Sequence, residues 1–252
     1  MILLKSPAEV REMAQPGQIA AGAHQKVRQM IRPGITTREI DRIVEDYIRE
    51  RGASPAFKGY RGFPASVCAS VNQEVVHGIP GDRVLVEGDI VGVDIGVKSG
   101  GFYSDAAQTL PVGRVSPEVE RLLAVTRAAL YAGIGEARLG QRVGDVSWAI
   151  QSFVERAGFS VVRSLVGHGI GRSMHEEPQV PNFGKPGQGP ELKAGMAIAI
   201  EPMVNAGGAD VEVLDDEWTV VTADGSLSAH FEHTVVITED GPVILTEGAV
   251  PA

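Results

Sequence analysis

The chain has 252 residues, of which 43% are hydrophobic and 22% are charged, with a formal net charge of −9 and a single cysteine, Cys68. This length suits one large domain or two small ones, and the composition is ordinary for a soluble globular protein. The negative charge disfavours a general surface for nucleic acid or acidic membrane, and one cysteine excludes an internal disulfide, so a reducing cytoplasm is the expected compartment.

The chain opens with the signals of a helix rather than of a secretory peptide. Its first apolar run is only three residues long, and no apolar stretch of about eighteen residues predicts a membrane span. Ser6 is typical of an N-cap, with Pro7 at the first helical position and Glu9 completing a capping box. These signals predict a helix to about Ile31, and similar signals predict a second helix between Thr36 and Gly52.

The stretch "VGVDIGV" at residues 91–97 predicts a strand that carries an acid. Hydrophobic residues occupy every second position on one face, while Asp94 lies on the other face between Gly92 and Gly96. Asp105 follows in a strand after the glycine turn at 100–101. We therefore expect Asp94 and Asp105 to face each other across a hairpin.

The second half of the chain repeats the order of the first. A helix predicted at 145–157 aligns, at an offset of 106 residues, with the helix that ends at Gly52. The motif "HGIP" corresponds to "HEEP", and "VEGDIVGVD" corresponds to "KAGMAIAIE". We predict one domain, residues 1–252, whose halves of approximately 1–110 and 111–252 are related by a pseudo-twofold axis. The expected fold is α+β, with helices flanking a central antiparallel or mixed sheet.

Five potential metal ligands lie in these β-rich segments: Asp94, Asp105, His168 in "VGHGIG", Glu201 in "AIEP" and Glu232 in "FEHT". Four carboxylates at one place need shared protons, basic partners or cations. The matching faces carry no lysine or arginine, and a shared proton serves only a pair, so divalent ions are favoured. The set suits two bridged ions of Mn, Fe, Co or Zn. The small neighbours are expected to leave space for ions and substrate: Gly92, Gly96, Ala197 and Ala199.

These motifs, in this order and over nearly the whole chain, resemble the methionine aminopeptidase family. The short N-terminus and the short gap between Glu201 and Glu232 resemble its type I bacterial form. The resemblance implies the two-halved pita-bread fold and a dinuclear site. In that site Asp94 and Asp105 hold one metal, and His168 and Glu201 hold the other. Asp105 and Glu232 bridge the two.

The resemblance also implies substrate-binding and catalytic residues. His77 and His175 correspond to residues that contact the substrate near the scissile peptide. Glu201, a ligand beside the activated water, is the expected proton shuttle. The matching pocket for a methionine side chain consists of Tyr60, Phe63, Cys68 and Trp218, with His77 at its edge. Phe57 and Met174 depart from the residues common in the family and are expected to change the pocket shape modestly. Asn72 and Ser228 match positions that can hold a monovalent cation.

The expected activity is removal of the N-terminal methionine from new proteins and peptides with a small second residue, through a water activated by two metal ions. The implied partners are nascent polypeptide N-termini, and docking at the ribosome is compatible with such a substrate. We expect a monomer in the cytoplasm, without direct contact with nucleic acid or membrane.

Two other functions fit parts of the pattern. An X-Pro peptidase or creatinase-like hydrolase has the same fold, but those relatives usually carry a sizeable N-terminal domain, and here the catalytic motifs begin close to residue 1. A non-enzymatic binding protein of this fold is expected to lose metal ligands, and all five are present. Both alternatives are therefore ranked below the aminopeptidase.

Overall fold

The computed structural model describes residues 1–248 and places four helices and fifteen short strands there. In chain order these are α1 (Pro7–Met30), α2 (Thr37–Glu50), β1 (Ser54–Pro55), a 3-10 turn (Tyr60–Gly62), β2 (Cys68–Val71), β3 (Glu74–Val76), β4 (Ile90–Ser99), β5 (Phe102–Pro111), α3 (Pro117–Glu136), α4 (Val143–Arg156), β6 (Ser160–Val161), β7 (Val166–Gly169), β8 (Glu176–Pro181), β9 (Ala197–Ile200), β10 (Met203–Asn205), β11 (Val211–Val213), β12 (Val220–Thr222), β13 (Ser228–His230), β14 (His233–Thr238) and β15 (Gly241–Ile244). Within that described range, none of the helices offers an apolar stretch long enough to cross a bilayer.

Helix starts follow the local signals closely. The Ser6 hydroxyl of α1 accepts a hydrogen bond from the Glu9 N–H at 3.3 Å, and the Glu9 carboxylate accepts one from the Ser6 N–H at 2.8 Å. Helix α4 begins at Val143, two residues before the predicted start. Its first residue is preceded by Arg142, whose side chain cannot accept a hydrogen bond, so the usual N-cap signal is missing and only the Asp145 carboxylate caps the Arg142 N–H.

Equivalent backbone contacts recur in the two halves. The Gly34 N–H donates to the Leu85 carbonyl at 2.8 Å, and 106 residues later the Gly140 N–H donates to the Leu192 carbonyl at 3.0 Å. Both glycines have a left-handed backbone conformation, with φ of 94° and 84°, which residues with side chains rarely adopt. The helices α2 and α4 bury equivalent residues, namely Ile40 and Val146, Val44 and Ile150, and Ile48 and Val154. The predicted pseudo-twofold repeat is therefore present in the backbone.

The strands form four sheets, of which the two largest contain four and five strands, and the two smaller ones, β13-β10-β6 and β11-β12-β3, contain three each. In the first half, β4 pairs with β5 on one edge and with β1 and β2 on the other. In the second half, the strand order is β15-β14-β9-β7-β8. All strand pairings in residues 1–248 are antiparallel, which agrees with the predicted antiparallel or mixed sheet of an α+β fold.

Strand β5 of the first half meets the β13–β14 segment of the second half along a seam, where threonine hydroxyl groups replace a regular ladder of backbone hydrogen bonds. The Thr234 hydroxyl accepts from the Asp105 N–H at 2.9 Å and donates to the Asp105 carbonyl at 2.8 Å. The Thr109 hydroxyl makes the same pair of contacts with the backbone of His230. Between them, the Glu232 N–H donates to the Ala107 carbonyl at 2.9 Å. Two predicted ligands, Asp105 and Glu232, thus lie on this seam.

We expect Thr234→Val to lower the free energy of unfolding by about 2–3 kcal/mol, because the buried N–H and carbonyl of Asp105 both lose their partner. Urea denaturation measures the change. The control is Thr238→Val, whose hydroxyl donates only to the Gly241 carbonyl in a hairpin turn. Equal losses in the two variants would contradict a special role for the seam.

Candidate metal centre

All of the sequence-predicted catalytic, pocket and metal-binding residues line one cavity of about 150 Å³. Its walls are Phe57, Tyr60, Arg61, Phe63, Cys68, His77, Asp94, Asp105, His168, His175, Glu201, Trp218 and Glu232. A larger groove of about 660 Å³ between α1 and α3 contains none of the predicted site residues. The chemistry-bearing groups therefore converge at the smaller cavity.

The two halves supply acids to this cavity from different kinds of position. Asp94 and Asp105 share a face of the β4–β5 hairpin, but at diagonal positions, since Asp94 pairs with Ala107 and Asp105 with Gly96. Glu201 directly follows β9, and Glu232 lies in the break between β13 and β14. These two acids are thus at strand ends and not within strands. For Glu232 the reason is that its backbone N–H donates across the seam to the Ala107 carbonyl.

The ligand atoms of Asp105, His168 and Glu232 lie within 4.8 Å of one another, and all three residues are buried. One carboxylate oxygen on each of Asp94, Asp105 and Glu232 is buried without a hydrogen-bond partner. Buried polar atoms are normally satisfied, so several orphaned oxygens aimed at one place fit a cation.

The histidine in this group has the protonation that a metal ligand needs. The Nδ1 atom of His168 lies 2.8 Å from the Gly169 carbonyl, which can only accept, so Nδ1 carries the hydrogen. Burial lowers the pKa of His168 to about 4, and its Nε2 therefore holds a lone pair at neutral pH. The His168 Nε2 atom lies 3.7 Å from Glu201 Oε1, which can also give a lone pair to a metal ion. Two such ligand atoms facing each other fit a cation between them.

Burial also raises the pKa values of the four carboxyl groups in the cavity. It raises the pKa of Glu201 to about 8. Burial and the charge of Glu201 raise the pKa of Asp105 to about 7. The pKa values of Asp94 and Glu232 are raised well above their usual range, mainly by burial and then by the neighbouring acids. Without a bound cation, the site therefore takes up protons near neutral pH.

Aromatic side chains form the other wall of the cavity. Phe63 and Trp218 pack edge to face with ring centres 5.0 Å apart, and His77 meets Trp218 at 6.3 Å. The Tyr60 hydroxyl lies 2.8 Å from Nδ1 of His175. The predicted pocket residues thus adjoin the predicted ligands.

The family model for "Metallopeptidase family M24" matches residues 11–239. Methionine aminopeptidase 1 of Bacillus subtilis is 53% identical over 98% of this chain and 99% of that protein. The chain belongs to metallopeptidase family M24.

Within this family, a crystal structure of methionine aminopeptidase from Thermotoga maritima has a TM-score of 0.96 and 48% identity, covering 98% of this chain and 100% of that one. The prolidase from Pyrococcus furiosus has a TM-score of 0.78 at 23% identity, covering 98% of this chain and 66% of the prolidase, which shows a common fold alone. The pita-bread architecture implied by the motifs is confirmed.

One expectation about this M24 site is wrong. The glycines beside Asp94 do not leave open space for ions, because side chains fill it. A Cβ atom on Gly96 would lie 2.6 Å from Phe57 and 3.0 Å from Met174, and one on Gly92 would meet Thr109 at 3.4 Å. The two residues that depart from the family pattern, Phe57 and Met174, are those that occupy the space over Gly96.

We expect Gly96→Ala to raise KM for a methionyl peptide roughly 10-fold, since overpacking costs about 1–3 kcal/mol and Phe57 must move. Metal affinity should change little. Gly92→Ala, on the same strand but with ordinary clearance, is the matched control and should behave like wild type. Steady-state kinetics and a metal titration measure both effects, and an equal rise in KM for the two variants would contradict the packing argument.

Sequence analysis of this M24 chain missed His230 and Arg61. His230 is buried, and its unpartnered Nε2 lies 3.6 Å from Glu201 Oε2. Burial lowers the pKa of His230 to about 3, so the ring is neutral. The signal was available, because His230 lies two residues before Glu232 and period-two alternation places both on one face. Arg61 had no such signal, since it reaches the cavity from a left-handed turn.

The predicted cation-binding pair lies near the seam. The Ser228 N–H donates to the Asn72 carbonyl at 2.9 Å, and the Asn72 backbone is in the left-handed conformation, with φ of 60°. Both side chains are already hydrogen-bonded, Asn72 to Asp89 and Ser228 to Asn205. The structure therefore brings the two residues together.

Proposed function

We propose that this cavity is the active site at which the chain, a metal-dependent aminopeptidase, removes N-terminal methionine from polypeptides. The observation that carries the proposal is the convergence of orphaned carboxylates and a metal-ready imidazole with an aromatic pocket in one cavity. The ligands and the pocket adjoin, as an exopeptidase requires.

Five residues would hold two divalent ions. Asp94 and Asp105 would hold one, and His168 and Glu201 the other. Asp105 and Glu232 would bridge them. When bound, the ions would polarise the scissile carbonyl and lower the pKa of water to near neutrality. The mixture of oxygen ligands with one imidazole nitrogen supports Mn, Fe, Co or Zn.

Glu201 is the proposed proton shuttle. Its carboxyl adjoins the ligand cluster, and once a bound cation has displaced its proton it can take a proton from the nucleophile and pass it to the leaving amine. The neutral ring of His230 lies next to the second Glu201 oxygen, with Nε2 3.6 Å away and unpartnered, and would orient that oxygen if the two atoms moved into hydrogen-bond distance. His230 is buried, and the Glu201 side chain is only 14% exposed, so little bulk water reaches these contacts.

His175 is proposed to bind the carbonyl oxygen of the scissile bond. Burial lowers the pKa of His175, so the ring is neutral at pH 7. If the Tyr60 hydroxyl donates to Nδ1, the hydrogen lies on Nε2. That N–H is a donor for developing negative charge, and such donors contribute about 2.7–4 kcal/mol in other hydrolases. His77, at the opposite edge beside Trp218, would orient the amide.

The pocket of Tyr60, Phe63, Cys68 and Trp218 supports methionine as the first residue. Its aromatic faces suit an unbranched, polarisable thioether. An apolar pocket distinguishes one methylene by only about 1–3 kcal/mol, so norleucine should also be accepted.

A peptide assay tests the function. The metal-loaded protein should release methionine from Met-Gly peptides, release norleucine from the matched analogue, and leave X-Pro peptides intact. Turnover of X-Pro peptides alone would instead favour the prolidase-like alternative that shares this fold.

Several finer features are part of the same proposal. We infer a single catalytic domain over residues 1–252, supported by the site being shared between both halves. The Asn72–Ser228 contact would hold a monovalent cation near the seam. Substrates would be nascent N-termini with a small second residue, met in the cytoplasm by a monomer that can dock at the ribosome.

A further inference from the structure

A buried ion pair lies outside the proposed active site. Lys5 Nζ lies 2.5 Å from Glu176 Oε2, and the two side chains are only 4% and 6% exposed. Lys5 Nζ also donates to the Leu3 carbonyl at 2.9 Å. Buried ion pairs seldom add net stability, because desolvation offsets their attraction. The pair therefore needs another explanation.

Two glycines shape the space around Lys5. The Lys5 N–H donates to the Gly195 carbonyl at 2.7 Å, and a Cβ on Gly195 would lie 2.5 Å from the Lys5 carbonyl oxygen. A Cβ on Gly171 would lie 2.3 Å from Lys5 Cε. The lysine is thus confined at both its backbone and its side chain.

The other end of the pair holds the segment that carries His175. Glu176 directly follows His175, and its second oxygen accepts from the Ser173 N–H at 3.1 Å. Met174 is buried and held by packing on Gly96, whereas His175 is exposed and its ring is 4.2 Å from His168. The Tyr60 hydroxyl, 2.8 Å from Nδ1, orients the ring itself, whereas the Glu176 contact with the Ser173 N–H restrains the backbone from which the ring projects.

We propose that Lys5 is a positioning residue that acts through Glu176 on His175. The proposal rests on the proposed function, in which His175 binds the carbonyl oxygen. Lys5 touches no substrate. Through Glu176, it fixes the backbone position of the turn of residues 171–176, and that position lets the His175 imidazole reach the cavity.

The test is a double-mutant cycle on kcat for a Met-Gly peptide. Lys5→Met should lower kcat roughly 10- to 100-fold, as a small misplacement of a catalytic group does, with KM and metal affinity within about threefold of wild type. In a His175→Ala background, Lys5→Met should lower kcat no further. A purely structural role would lower kcat by the same factor in both backgrounds, and that result would overturn the proposal.

Two further variants keep the test sharp. Lys5→Met with Glu176→Gln removes the uncompensated buried charge, so it should recover the melting temperature but not kcat. Arg172→Met breaks an exposed ion pair of the same turn with Glu9, and kcat should stay within about twofold. Unchanged kcat in folded Lys5→Met overturns the role of Lys5. Unchanged kcat in His175→Ala instead overturns the proposed role of His175, and the inference with it.

Discussion

Asp105→Asn and His168→Ala should each lower kcat/KM for a methionyl peptide by at least about 10³-fold, because each removes a proposed ligand and metal ions supply several kcal/mol of transition-state stabilisation. Asparagine keeps the size of the side chain and its place in β5, so the loss would be chemical. Metal content per chain, measured on the purified variants, should fall with the activity.

Stability should change in the opposite direction from activity in Asp105→Asn. The Asp105 carboxyl is buried with an unpartnered oxygen and no basic neighbour, so in metal-free protein at pH 8 its removal should raise the free energy of unfolding. Asp41→Asn is the matched control. Asp41 lies outside the cavity and accepts from the N–H groups of Ser66 and Val67 through one oxygen, and asparagine keeps an acceptor there, so this variant should keep its kcat and its metal content.

Full activity of Asp105→Asn or His168→Ala after chelation and reloading would defeat the dinuclear proposal. Loss of activity with unfolding would point instead to a structural role. Circular dichroism beside the kinetic assay separates the two.

Metal affinity should rise about 10²- to 10³-fold from pH 6 to pH 8. Burial raises the pKa of Asp105 to about 7 and that of Glu201 to about 8, so a cation must displace about two protons from this pair at pH 6 and fewer than one at pH 8. Asp94 and Glu232, whose pKa values are raised well above their usual range, release further protons. His168 contributes none, since burial keeps its pKa near 4. Calorimetry in buffers of different ionisation enthalpy counts the released protons.

The same groups set the sign of the stability profile of metal-free protein. Their folded-state pKa values lie above the unfolded values near 4, so the folded chain binds more protons between about pH 4 and pH 8. The free energy of unfolding should therefore fall as pH rises through this window, and saturating metal should reduce the decline. Asp105→Asn, which lacks one of the two groups, should release about one proton fewer at pH 6. A constant affinity across this range would refute the assignment of these acids as ligands.

Local sequence determined the parts of this protein that depend on neighbours along the chain. The capping boxes begin α1 and α2 because their donors and acceptors lie three residues apart. Period-two alternation placed Asp94 and Asp105 on one face, and the repeat of motifs indicated two halves. The family motifs identified all five proposed metal ligands and both histidines proposed to bind the substrate, but not His230.

Tertiary structure decided what depends on contacts between distant segments. Thr234 and Thr109 join β5 to the β13–β14 segment, because their hydroxyl groups satisfy backbone groups across the seam. The space over Gly96 belongs to Phe57 and Met174, which arrive from separate segments and cannot be assigned from alternation in β4. His230 meets Glu201, and Lys5 meets Glu176 across 171 residues of chain. Residue order sets which groups are available, but only packing sets their distances, and the chemistry of a site depends on those distances.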